Sequence, residues 1–364
     1  MRRSIARAVM LSAMLPICSQ AATLEQRVTA LENAQAVSED AISDANRQLE
    51  YGVKISGYVD AEYRTRTKSP GDHNGFQLHH TNFMFLNKFS EKWSFFSEVE
   101  LENGTQLEGE GSSTSGTGSL FVEKANFDYK WRPDTTIRMG RFMTPFGIWN
   151  QDHYSPFVST QDRPMHIEQI APGTTNGLDI IGLAPVGSNF VKYNLYVGNG
   201  SDSPGEGDTN NNKAVGARGT FIFTNFLHLE AGLSTYKDTL EDGSDKTVNG
   251  LHMKLREGPW AMQLEYAAGK EDPLTGPETE SKGAYIQPQY TTGKWSFGYR
   301  YDMYDPDSGD SSTKSEKVDN VAYVNYRVLP HLVLKAEHHM YSYDDPAIED
   351  STMTVFSVAA FLGN

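Results

Sequence analysis

From Tyr51 onward, apolar and polar residues alternate with a period of two. In "VKISGYVDAEYR" the residues Val53, Ile55, Val59, Ala61 and Tyr63 interleave with Lys54, Ser56, Tyr58, Asp60, Glu62 and Arg64. That is the pattern of a strand with one apolar and one polar face. It returns in "WSFFSEVELE", "FVKYNLYVG", "VGARGTFIF", "WAMQLEYAA", "WSFGYRYDM" and "LVLKAEHHM". About sixteen such segments occur, each near the ten or so residues that a tilted membrane strand needs, and a closed single-chain bacterial barrel has an even number. The connections alternate between short ones, such as "FSEK", "WRPD", "TTGK" and "VLPH", and long polar ones. An outer-membrane barrel has this asymmetry, with its short turns in the periplasm. Four segments, "LHHTNFMFLN", "GLDIIGLAP", "VAYVNY" and "VFSVAAFL", are apolar on both faces, which suits a subunit interface or the wall behind an inserted loop.

The pattern predicts an all-β transmembrane antiparallel barrel over 51–364. Trp93, Trp131, Trp260 and Trp295 stand at strand ends beside short turns, where an interfacial aromatic girdle would sit. Ahead of the barrel, over 22–50, the period changes. Leu24, Val28, Leu31, Ile42, Ala45 and Leu49 fall on one heptad seam, interrupted at Gln35 and Ser38. A helix this short needs partner chains, so a small periplasmic coiled coil is expected. Residues 1–21 read as a secretory signal peptide, with Arg2, Arg3 and Arg7 before an apolar run from Ala8 to Ile17.

Charge and cysteine narrow the function classes. Without those three arginines the balance is 29 basic against 47 acidic residues, a formal net charge of −18, so nucleic acid is not an expected partner. The single Cys18 lies in the leader, which excludes a disulfide scaffold. No later segment offers the roughly twenty apolar residues of a transmembrane helix, so any crossing is by strands.

One connection departs from the rest. "MGRFMTPFGIWNQDHYSPFVSTQDRPMHIEQIAPGTTNG", Met139 to Gly177, is long and rich in Pro and aromatics. A structureless loop of that length is usually functional or disordered, and this one is too aromatic to be disordered. Trp149, Tyr154, Phe157, Met165 and Ile167 would expose apolar surface if the loop pointed outward, whereas inside the barrel they can pack on its wall.

The chain resembles a sixteen-stranded trimeric porin, and Gly140 to Gly147, "GRFMTPFG", is similar to the Gly-x-Phe-x-x-Pro-Phe-Gly segment of the phosphate-selective-porin-like outer-membrane family. The resemblance implies a homotrimer in the bacterial outer membrane, with the third long loop, here 143–173, folded inward as a constriction. It also fits the coiled coil below the barrel. The phosphate-specific members carry a ladder of arginines, and this chain shows no dense arginine run.

The polar face of the strands proposes the pore lining: Arg138, Lys192, Arg218, Lys254, Arg256 and Arg300 against Glu98 and Glu100. Asp152, His153, Asp162, Arg163, His166 and Glu168 of the loop would reach the remaining gap, the acids facing the basic wall. Arg138 is placed inward because Ile137 and Met139 take the lipid side. Catalytic residues, cofactors and metals are not expected. Ser155 and Ser159 lie in no nucleophile elbow. His79-His80 and His338-His339 are adjacent pairs, whose side chains in a regular strand point to opposite faces. The acidic loop "DPDSGD" lacks calcium-loop spacing. The expected function is passive diffusion of small hydrophilic solutes and ions through a porin embedded in outer-membrane lipid. An outer-membrane barrel hydrolase and an adhesive or structural barrel are the alternatives.

Overall fold

The computed structural model describes residues 53–67, 74–104, 118–167, 169–200, 207–224 and 227–363. The expected leader and coiled coil over 1–50 lie outside the described residues. Sixteen strands follow in order: β1 (Lys54–Thr67), β2 (Gly75–Lys88), β3 (Trp93–Glu102), β4 (Ser119–Arg132), β5 (Thr135–Met143), β6 (Thr174–Val186), β7 (Asn189–Gly198), β8 (Ala214–Ile222), β9 (Glu230–Thr239), β10 (Asp245–Glu257), β11 (Trp260–Asp272), β12 (Thr279–Thr292), β13 (Trp295–Asp305), β14 (Lys317–Leu329), β15 (Leu332–Tyr343) and β16 (Ser351–Leu362). Each pairs antiparallel with its sequence neighbours, and β1 pairs with β16 to close the barrel. Closure leaves no unpaired strand edge, which lets strands cross a membrane.

The period-two pattern becomes an inside and an outside. On the outer surface Ile55, Met139, Leu195, Leu233, Phe297 and Phe356 are exposed, an apolar belt of the kind that membrane barrels carry. Trp93, Trp131, Trp260 and Trp295 are exposed at the short-turn end, and three of them pack against a tyrosine of the neighbouring strand: Trp93 on Tyr129, Trp260 on Tyr290 and Trp295 on Tyr326. Inside, Val321 of β14 and Met353, Val355 and Ala359 of β16 are buried. Two of the segments that read as apolar on both faces therefore form wall covered from within.

Among the described residues the register shifts at four places: beside two short turns, at Lys130/Arg132 and Arg327/Leu329, and at two β-bulges farther along the strands. Asp60 pairs with His80 and Ala61 with Leu78, leaving His79 as the extra residue. Likewise Glu98 pairs with Lys124 and Val99 with Val122, leaving Glu123. A bulge re-aims side chains locally, and both of these lie on the inner wall of β1–β4.

Candidate functional site: the inserted loop and the charged wall

Residues 144–173, between β5 and β6, fold into the barrel rather than away from it. At their entrance, Gly140 sits at φ 129, and a Cβ there would lie 2.2 Å from the Ala125 carbonyl oxygen. Phe142 and Phe146 then pack with Tyr196, Tyr236, Val248 and Ala267 of the wall and with Ile170 on the returning limb. Burying such side chains contributes about 2 kcal/mol each. Gly147 has φ 59, and a Cβ on it would fall 1.9 Å from Glu265 Oε2. The glycines that bound the "GRFMTPFG" segment thus serve backbone approach to a neighbouring strand and to a carboxylate.

Loop backbone N–H groups grip carboxylates of the wall. Ile148 and Trp149 donate to Glu265 at 2.7 and 2.9 Å, Met165 to Asp302 at 2.9 Å, and Gln161 to Glu337. Side chains add to these contacts. Ser155 Oγ donates to Asp60 at 2.5 Å and Tyr154 OH to Glu98 at 2.8 Å. Wall cations return the favour to loop carbonyls: Arg218 donates to Gly147 O, Arg327 to Pro156 O and Arg300 to Asp162 O. Because the partners lie on β1, β3, β8, β11 and β13–β15, the loop crosses the lumen instead of lining one side. Charge-assisted hydrogen bonds of this kind are about twice as strong as neutral ones.

This crossing decides which charges water reaches. Asp60, Glu62, Glu98, Glu100, Glu123, Glu265, Asp302 and Glu337 are all buried. Of the wall cations beneath the loop, Arg218, Arg300 and Lys335 are buried with them. On β4–β10, Lys130, Lys192 and Arg256 are exposed. Arg138 and Lys254 keep 30% and 29% of their side-chain surface.

The anticipated site residues separate accordingly. Lys254 pairs with Asp152 of the loop at 2.5 Å, and Lys192 and Arg218 stand close enough to act on the same carboxylate. Arg138, expected to face the acids of the loop, pairs with Asp128 of β4 at 2.8 Å. Asp162 is held by Arg64, at 2.6 and 3.0 Å, a wall residue the polar pattern contains but did not single out. Arg300, wholly buried, supports the loop backbone. Glu98 and Glu100 are covered too: Glu98 by Lys124 at 2.7 Å, Glu100 by Tyr58 at 2.8 Å, and both by Asn82. Those three side chains and Arg218, which donates to Gly147 O, lie under the loop, not at open pore. His153 lies 3.0 Å from Glu123, Arg163 borders a small cavity beside His79 and His80, and Glu168 lies outside the described residues. The bulge at His79 also changes the reading of the histidine pair. Both imidazoles turn inward with ring centroids 3.7 Å apart, where a regular strand would have separated them.

Asp162 and His166 are among the loop groups that titrate away from their ordinary values. Burial would raise the Asp162 carboxyl, but the Arg64 guanidinium outweighs it and holds the group at about 2. His166 is buried against Tyr285, and burial, aided by Arg300, lowers it to about 4. A histidine held below its unfolded value keeps the packed loop stable above pH ~6.5 and loses that contribution as pH falls toward 4, about 3 kcal/mol in all. Open-channel current noise is therefore expected to rise between pH 6.5 and 4. In His166→Phe that step should disappear, while changes due to carboxylates remain.

A model of the Gram-negative porin family matches residues 21–346. An uncharacterized protein of Aquifex aeolicus is 32% identical over 155 residues, 42% of this chain and 33% of that one, so the chain spans about a third of that relative's length. Among solved structures, the anion-selective porin from Comamonas acidovorans superposes with a TM-score of 0.65 at 12% identity, over 86% of this chain and all of that one. OmpF of Salmonella typhi, in complex with daunomycin, gives 0.62 at 10% over 86% and 98%. OmpT of Vibrio cholerae, in its trimer form, gives 0.57 at 10% over 85% and 99%. These structural likenesses concern the barrel itself.

Proposed function

We propose that this chain, which belongs to the Gram-negative porin family, is an outer-membrane channel for passive diffusion whose pore prefers anions weakly. One observation carries this reading: the inserted loop covers the acidic wall and leaves the basic one wet. Lys130, Arg138, Lys192, Lys254 and Arg256 face the passage on β4–β10, where Asp128, Asp152 and Glu230 oppose them. Fixed charge acts on permeating ions where it is accessible, while buried pairs are largely spent on each other. The excess is small, so the preference is modest and the cargo is small hydrophilic solutes and ions in general. The family and the fold support a channel over the hydrolase alternative. The assembly we assign is a homotrimer embedded in outer-membrane lipid; in-vitro folded OmpT of Vibrio cholerae is described in a trimer form.

Reversal potentials across a salt gradient in planar bilayers test the preference. The wild-type channel should show a small excess of anion permeability that grows as salt is diluted, because screening weakens. Lys192→Glu should carry it to the cation side without changing conductance much, since Lys192 is exposed and acts on the loop only through the charge of Asp152, which Lys254 still pairs. A wild-type channel that favours cations would overturn the reading.

A further inference from the structure

The inner wall of β1–β4 holds more buried carboxylate than cation can balance. Asp60, Glu62, Glu98, Glu100 and Glu123 are buried, and the wall cations that act on them include Lys124, Arg64 and Arg141, with His153 of the loop beside Glu123. Buried charge of one sign calls for a compensating partner. His80 is placed to organise one. Its Nδ1 donates to Asp60 Oδ2 at 2.8 Å, and Asp60 is itself fixed by Ser155 of the loop. That bond sets the tautomer and leaves the Nε2 lone pair facing the other way. There, Glu100 Oε1 and Glu102 Oε1 each stand 3.8 Å from Nε2. Glu100 Oε1 is enclosed and accepts no hydrogen bond, although its sister oxygen takes two, from Tyr58 and Asn82.

From this arrangement we propose that His80, Glu100 and Glu102 form a binding site for a divalent transition-metal ion, Zn2+ by its ligand chemistry. A gap of 3.8 Å is too long for a hydrogen bond and suits a bridging ion, since Zn–N and Zn–O bonds of about 2.1 Å span it after closure by a few tenths of an ångström. An imidazole whose second nitrogen donates to a carboxylate is the usual support of a metal-bound histidine. A cavity of about 190 Å³ adjoins the site, lined by Tyr58, His79, Glu102, Gln161 and Arg163, and would supply water as a fourth ligand. The ion would tie β2 and β3 together beside the point where Ser155 and Asp60 hold the loop, narrowing the outer entrance.

The test is titration of the full-length, membrane-folded protein with zinc chloride by calorimetry. One equivalent per chain is expected. Affinity should fall at least 100-fold in His80→Gln and Glu102→Gln, and about 10- to 100-fold in Asp60→Asn, which removes only the support. Glu102 keeps 26% of its side-chain surface open to water, so its substitution does not threaten folding. In bilayers, zinc added on the long-loop side should lower the conductance of the wild type, reversibly with chelator, and leave Glu102→Gln unaffected. Cobalt in place of zinc should give the visible bands of a low-coordinate site. Absence of stoichiometric uptake, or equal affinity in Glu102→Gln, would overturn the proposal and leave His80 as a protonated partner of its carboxylates.

Discussion

Replacing Ser155–Gln169 by a short Gly/Ser linker is expected to raise single-channel conductance severalfold and to shift the reversal potential toward cations. The first effect follows from geometry. This segment holds the loop contacts to Asp60, Glu337, Asp302 and Arg300, so its loss clears the middle of a wide barrel, where a constriction dominates the resistance. The second effect follows from what the segment hides. Asp60, Glu62, Asp302, Asp319 and Glu337 become wet, against Arg64, Arg300 and Lys335 as newly accessible cations. Once accessible, these carboxylates act on passing ions instead of on loop N–H groups. A variant that folds normally but keeps its conductance would place the resistance elsewhere. One whose conductance rises without a shift in selectivity would show that the loop constricts without masking charge.

Arg300→Leu is expected to loosen the loop without unfolding the barrel. Arg300 has no exposed surface, donates to Thr160 Oγ1 at 2.8 Å and to Asp162 O at 3.0 Å, and lies 3.5 Å from Asp302. Removing it strands the Asp302 charge in a dry setting and breaks two loop contacts, a loss of about 3–5 kcal/mol. Chymotrypsin should then cut after Trp149 or Phe157 at a protein concentration where the wild type resists. Current through single channels should become noisy. Arg300→Leu with Asp302→Asn should recover most of the resistance, because the uncompensated charge is gone. Equal cleavage of the single variant and the wild type would show that Glu265 and Glu337 suffice to hold the loop.

Much of this protein was legible along the chain. A side-chain period of two belongs to the extended backbone itself, so the sixteen strands, their apolar outer face and the tryptophans at the short turns followed from local pattern alone. The length and aromatic content of residues 139–177 likewise marked the one connection that had to find cover. Tertiary structure decided the rest. Whether an inward residue lines water or lies under the loop depends on the loop's path, which no local pattern encodes; thus Glu98, Glu100 and Arg300 read as lumen residues and are covered, while Lys192 stays open. Arg138 was legible as inward, but its partner, Asp128, is set by the register of β4 against β5. The bulges had no signal at all, because one extra residue leaves the surrounding alternation intact on either side. Their effect is large: a single slip in register turns His79 and His80 to the same face and creates the cluster with Asp60, Glu100 and Glu102 that a regular strand would have pulled apart.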